Sequence, residues 1–288
     1  MPYYEKDYAL LKQRHFLAHK NLGEPSKGIS EESLNILKEG LEYLKHHDEF
    51  YTILDLRTLK YDWCFGLENA LGYQEKGWTH YDFMCNIHDD FRNMFLAFGV
   101  AAYQVLQERS SVLKIPLASR YIINLPMMKK NGTYNWVKMM ALPLNRDSNG
   151  NMVTQLTSYT IVSRFVDVFL PLAPRLFDQD GKRSRDLEKD IFQIFLKTKD
   201  LGITPFQMRI LETYCELDEE KAQKDNGYRT GQQRVLVSHK DVAEKLGRSE
   251  FMVKKNSSEI HAKMKDHYKV MFPNTYQIAL FFKPLFYK

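Results

Sequence analysis

Three lysines, an asparagine and three serines crowd one stretch near the C-terminus, SEFMVKKNSSEIHAKM, residues 249–264. Lys254 and Lys255 can donate to phosphate oxygens or to guanine O6 and N7, and short arms such as Ser258 and Asn256 let a backbone come close. Side chains of these types suit the groove of a duplex better than bond-making chemistry. At about 100° per residue, Val253, Ser257, Ile260 and Met264 share one helix face, while Lys254, Lys255, Ser258, Glu259 and Ala262 share the other. A solvated surface helix would show the same pattern, so the flanking elements have to decide.

Those elements are a shorter helix and a tight turn. Ser238 predicts an N-cap, Val242, Ala243 and Leu246 give an apolar stripe, and Gly247 can take the left-handed conformation that stops a helix. Ser249 then predicts a second N-cap. Lys240 and Ser249, at the two helix starts, join Lys254, Lys255, Asn256 and Ser258 as the candidate DNA-binding set. Upstream lies ITPFQMRILETYCEL, residues 203–217. Together these stretches resemble the LuxR-type helix-turn-helix, with its T-P-x-[EQ]-x-x-x-L opening helix and S-x-x-T-V-K recognition helix. The resemblance implies base contacts at Lys254, Lys255 and Ser258 and a backbone contact at Asn256. Met252 departs from the family's threonine, and Asp218–Val235 is an insertion between the first two helices.

Charge follows the same division. The net charge is +5; from Arg234 to Lys288 there are 11 Lys/Arg against 5 Asp/Glu, and elsewhere 30 against 31. The basic excess therefore sits with the candidate reading helix, as a polyanion-binding module requires. Two features count against it: the acidic run Asp218–Glu220 and the outward Glu259.

Other candidate chemistry is sparse. Asp89 and Asp90 are adjacent, so on a helix they point about 100° apart and cannot form a dyad. Cys64, Cys85 and Cys215 are odd in number and form no CxxC, as expected of reduced thiols in a cytoplasmic protein. His46 and His47 read as a solvated helix end, and His88 as hydrogen-bonded structure. There is no phosphate loop, no H-E-x-x-H and no G-x-S-x-G, so the chain is expected not to be an enzyme. It is expected to lack a signal peptide, being charged from Glu5 onward, and to have no membrane contact, since its most apolar run, Met94–Leu106, is too short to span a bilayer.

In chain order, helices are predicted over 3–20 and 30–46, the second with Leu34, Leu37, Leu41 and Leu44 at coiled-coil-like spacing. Packing on its own domain is the favoured reading of that seam; a dimer contact is the other. FYTILDLRTLKYDWCFG predicts a hairpin, ENALGY a short helix, and the stretch after Asp89 and Asp90 a long one. Three antiparallel strands follow, separated by Asn131–Gly132 and Asp147–Gly150. This is an α+β unit with its helices on one side of the sheet. Residues 50–165 resemble a PAS domain, through Asp55, ALGY at 70–73, IHDDF at 87–91 and KKNGTYNWV at 129–137. The resemblance implies a sensing or dimerising module able to hold a small-molecule ligand. No ligand or cofactor is named by the sequence: the flavin-adduct motif N-C-R-F-L-Q is absent, and Trp63, Trp78, Trp136, Met139 and Met140 could line a cavity or be plain core.

Pro171–Asp186 reads as a boundary and Leu187–Phe195 as a connector helix. The closing helix in PNTYQIALFFKPLF offers Ile278, Phe281 and Phe282 to a second copy or to its own core. The expected organisation is a helical segment at 1–47, a PAS-like antiparallel sheet domain at 48–168, a linker and connector at 169–200, and an all-α helix-turn-helix domain at 201–288. This describes a cytoplasmic, homodimeric regulator of transcription that binds double-stranded DNA. The alternative is a signalling adaptor whose domains bind proteins.

Overall fold

The computed structural model describes residues 5, 8, 9, 12, 13, 22–44, 46–108, 117–166, 169–178, 180–197, 201–224 and 237–287. Of the helix expected over 3–20, only Glu5, Tyr8, Ala9, Lys12 and Gln13 are described, all helical; the rest lies outside the described residues. The chain divides into two compact units, the first ending at Ile191 and the second beginning at Phe192.

The first unit opens with β1 (Lys27–Gly28) and α1 (Glu31–Leu44), then the hairpin β2 (Glu49–Asp55) and β3 (Lys60–Phe65). Helices α2 (Leu67–Leu71), α3 (His80–Asn86) and α4 (Asp89–Glu108) follow, and then β4 (Arg120–Met128), β5 (Tyr134–Arg146), β6 (Met152–Arg164) and β7 (Arg175–Phe177). All pairings are antiparallel, in the order β3-β2-β6-β5-β4-β7, with β1 beside the end of β5. Local chemistry fixes the turns. Asp55 accepts from the Arg57 N–H at 2.8 Å and from its guanidinium, which closes the first hairpin. Gly132 takes a φ of 84°, which a side chain would resist, and Asn131 Oδ1 accepts from the Thr133 N–H.

Strand β2 is buried on both faces because each face is covered. On one, Phe50 stacks on Tyr159 with centroids 4.2 Å apart, and Phe83 of α3 meets Tyr159 at 5.6 Å. On the other, Ile53, Leu144 and Leu156 receive Leu34, Leu37 and Leu41 of α1. The leucine seam is thus an intramolecular packing face. The expectation of helices on one side holds for α3 and α4, while α1 takes the opposite side. No residue of α1 is fully buried, and its fourth leucine, Leu44, is 68% exposed. Trp136 is core, ringed by Phe91, Phe165 and Phe169. The imidazole Nδ1 of His88 accepts from the Asp90 N–H at 3.3 Å, a structural role.

The Pro171–Asp186 stretch, expected to be a boundary, is not bare coil. Within it β7 pairs with β4, and the Pro171 carbonyl accepts from Asn124 Nδ2 at 2.8 Å. Helix α5 (Arg185–Lys197) starts in the first unit, where buried Glu188 accepts from the Leu176 N–H and from Arg183. Its later residues, from Phe192, belong to the second unit.

The second unit is helical: α6 (Pro205–Lys224), α7 (His239–Leu246), α8 (Glu250–Tyr268) and α9 (Thr275–Phe282), with a closing 3-10 turn, Lys283–Phe286. Its core is aromatic. Phe192 lies 5.1 Å from Phe281, Phe195 stacks on Tyr268 at 5.2 Å, and Phe272 meets Phe281 at 5.5 Å. Ile278, Phe281 and Phe282 are buried in this core, which settles the choice left open for the closing helix. The insertion does not begin at Asp218 in any structural sense: residues to Lys224 continue α6, and 225–235 lie outside the described residues. The architecture is α+β with an all-α second unit. Among the described residues no helix is long and apolar enough to cross a membrane, and no group of His, Cys, Asp and Glu could hold a metal ion.

Candidate nucleic-acid interface

The sequence ITPFQ starts α6 by reciprocal hydrogen bonds. Thr204 Oγ1 accepts from the Gln207 N–H, and Gln207 Oε1 accepts from the Thr204 N–H, each at 3.2 Å. Pro205 fills the first helical position, where its missing N–H costs nothing. Gln207 is buried and does more than cap. Its Nε2 donates to Glu259 at 2.8 Å, and its Oε1 accepts from Lys263 Nζ at 2.8 Å. One glutamine thereby ties the opening helix to the middle of α8. Sequence reading treated Gln207 only as a motif letter; its contacts with residues more than 50 positions away carry no local signal.

Helix α7 is bounded as expected. Ser238 and Asp241 form a complete capping box, and Gly247 ends the helix with φ 61°. Val242 and Ala243 are buried, and ion pairs hold the outer edge against α6: Lys221–Asp241 at 2.9 Å, Lys245–Glu216 at 3.1 Å and Lys245–Glu220 at 2.6 Å. The Ser238 N–H, with Lys221, keeps the Asp241 carboxyl below the usual carboxylate range. Burial opposes the charge on Lys245, but Glu220 and Glu216 hold its pKa above the ordinary value.

These pairs reverse a reservation raised by the sequence. Asp218 is buried and accepts from the Tyr276 hydroxyl at 2.6 Å, Glu219 pairs with Lys283 at 3.2 Å, and Glu220 pairs with Lys245. Each carboxylate of the acidic run has a partner within its own module, and Lys283 and Lys245 offset part of its charge. Glu259 is exposed, as expected of an outward acid, and accepts from Gln207.

Helix α8 is presented by a three-residue turn, Gly247 to Ser249, Arg248 remaining exposed and Ser249 Oγ accepting from the Met252 N–H at 3.3 Å. Val253, Ser257, Ile260, Met264 and Tyr268 are buried and form its back. Opposite them stand exposed Phe251, Lys255, Ser258 and Ala262, at about 100° per residue centred roughly 150° from that back. Lys254 stands only about 80° from the back's centre, on the flank. It pairs with Glu250 at 2.8 Å, and this hydrogen bond and charge lower the Glu250 pKa. Burial first, and the Lys254 charge second, push His239 below the ordinary histidine value.

The other candidates fall into two kinds. Ser258 Oγ donates to the Lys254 carbonyl at 3.1 Å and Asn256 Nδ2 to the Met252 carbonyl at 3.0 Å, so each side chain is oriented by its own helix. Both keep an oxygen able to accept from a base or backbone donor. Lys240 is exposed on α7, 3.9 Å from Glu244. The structure thus gathers Ser249, Lys254, Lys255, Asn256 and Ser258 on α8 and its cap, with Lys240 on the neighbouring helix. Sequence reading passed over Arg248 and Phe251.

No family model matches the chain, and no curated protein matches it. Solved structures similar to it include the PAS domain of a protein from Colwellia psychrerythraea, 14% identical over 45% of this chain and 97% of that one, with a TM-score of 0.34. The VqmA dimer of Vibrio cholerae in the absence of target DNA, described among LuxR-type receptors, is 12% identical over 90% of this chain and 89% of that one, with a TM-score of 0.29. A phage VqmA–DPO complex is 10% identical over 88% and 89%, also with a TM-score of 0.29. Likenesses at this identity and superposition score support neither a family nor a function for this chain.

Proposed function

We propose that the chain is a DNA-binding regulator of transcription, with α8 as its reading helix and the sheet unit as a PAS-like module that senses a signal or pairs subunits. The carrying observation is the two-sidedness of α8. Its back is anchored by fully buried Val253, Ile260 and Met264, while Lys255 and Ser258 face solvent with Arg248 and Lys254 beside them. A helix held in this way enters a major groove without losing packing, and its cations neutralise phosphates. Lys255 is assigned to a base edge, Lys254 and Asn256 to the backbone, and Lys240 and Ser249 to phosphates at the two helix starts. Two copies acting on two half-sites complete the proposal. The whole chain is not assigned an enzymatic activity.

The test is binding of the full chain to a random-sequence duplex pool at several salt concentrations. Affinity should fall linearly in log–log form, with a slope set by the phosphates contacted, and repeated selection should enrich a sequence. Salt-insensitive binding, or none, would favour the adaptor reading. Light scattering of the enriched complex should show two chains per duplex.

A further inference from the structure

We propose that Phe251 is a sequence-reading residue that packs on the 5-methyl group of thymine in the major groove, an inference that rests on α8 being the reading helix. Phe251 is 78% exposed, although the core of the same unit takes up Phe192, Phe195, Phe272, Phe281 and Phe282. It lies in the first turn of α8, two positions after the Ser249 cap. At about 100° per residue it shares the outward stripe with Lys255, Ser258 and Ala262. The N-terminal residues of a reading helix are those that reach base edges.

Chemistry selects the occupant. Arg248 and Lys255 stand exposed at the same end of the helix, with Lys254, paired to Glu250, on its flank, so a polyanion is the matching surface, and an apolar protein partner would have to bury those cations. Within a duplex groove, the 5-methyl of thymine is the one apolar group on a base edge, and phenylalanine is among the side chains that contact it. Lysine at position 255 supplies the neighbouring polar contact, one helical turn further on. The pair Phe251–Lys255 therefore fits a step in which a thymine adjoins a guanine.

The test uses the full chain and the duplex it enriches from a random pool, remade with deoxyuridine in place of one thymine at a time. Each substitution removes only a methyl. Binding of the parent should weaken about fourfold at one thymine per half-site, the value of one buried methyl(ene). Phe251→Ala should bind the unmodified duplex no better than the parent binds a duplex carrying deoxyuridine at that thymine in both half-sites, and should show no further loss there. Phe251→Leu should keep part of the preference. An unchanged thermal midpoint in both variants shows that the fold is intact. Equal binding at every deoxyuridine position, or a preference that survives Phe251→Ala, overturns the inference and leaves the DNA reading standing. Failure of the parent to enrich any duplex overturns both.

Discussion

Two helices of this molecule, α1 and α8, are amphipathic by the same sequence criterion and use it in opposite ways. Helix α1 lays Leu34, Leu37 and Leu41 on the sheet but has no fully buried residue, and Ile36, Tyr43 and Leu44 remain 64%, 89% and 68% exposed. Helix α8 sinks five residues into its unit and leaves Phe251, Lys255, Ser258 and Ala262 outside. The first helix is a cover for something else; the second is itself supported. Only where the back is fully buried does the content of the front become informative, because folding does not need those side chains.

The sharpest way to break this comparison is to truncate each back. Ile260→Ala should lose about 2–5 kcal/mol of stability, since it leaves a cavity in a closed core. Leu37→Ala should lose only about 1 kcal/mol, because a half-buried leucine gives up less apolar area and water can fill the gap. Chemical denaturation measures both, and equal losses would remove the distinction between cover and anchor.

The fronts give the next contrast. Lys255→Ala should weaken binding to the enriched duplex by about 1–3 kcal/mol and relax one base position. Lys254→Ala should weaken all duplexes alike and lower the salt slope by about one per bound copy, about two for two copies on the duplex. The Glu250 pairing makes Lys254 the smaller contributor, because the parent must break that contact to reach a phosphate. A larger sequence-specific loss at Lys254 than at Lys255 would reverse the assignment.

Much of this was legible in the sequence because it is local. Ser238, Gly247 and Ser249 mark their own helix ends, and Val253, Ser257, Ile260 and Met264 declare the buried face by spacing alone. The strands of the sheet announce themselves through Asn131–Gly132 and Asp147–Gly150. What escaped is non-local. Nothing near Leu34 says whether its seam meets a sheet or a second chain, since both bury leucine. The Asp218–Glu220 run reads as free acid until Tyr276, Lys283 and Lys245 are brought to it. Strand β7 is three residues long and lies among prolines, too short to leave a period-2 pattern. Phe251 escaped for another reason: an aromatic residue in an amphipathic helix is ordinarily core, although its spacing sets it on the outward face, where it is exposed.

The smallest expected effect concerns pH. Burial and Lys254 hold His239 below the ordinary value, and burial and His239 do the same to His261. Between the lowered pKa and the ordinary one, the folded state binds fewer protons than the unfolded chain. Stability is therefore fully present above about pH 6.5 and declines as pH falls through that window. The thermal midpoint should drop less in His239→Gln than in the parent between about pH 7 and pH 5.5. An identical drop would remove the electrostatic contact inferred between α7 and Lys254.

The account stands most directly on one measurement: duplex binding by the Lys254→Ala/Lys255→Ala double variant across salt concentrations, beside the parent. Neither lysine is buried, so the double variant should keep the parent's thermal midpoint. Its affinity for the enriched duplex should fall toward that for random duplex, and its salt slope should be shallower by about one to two per bound copy. A correctly folded double variant that binds the enriched duplex as the parent does, with the same slope, would show that α8 is not the reading helix.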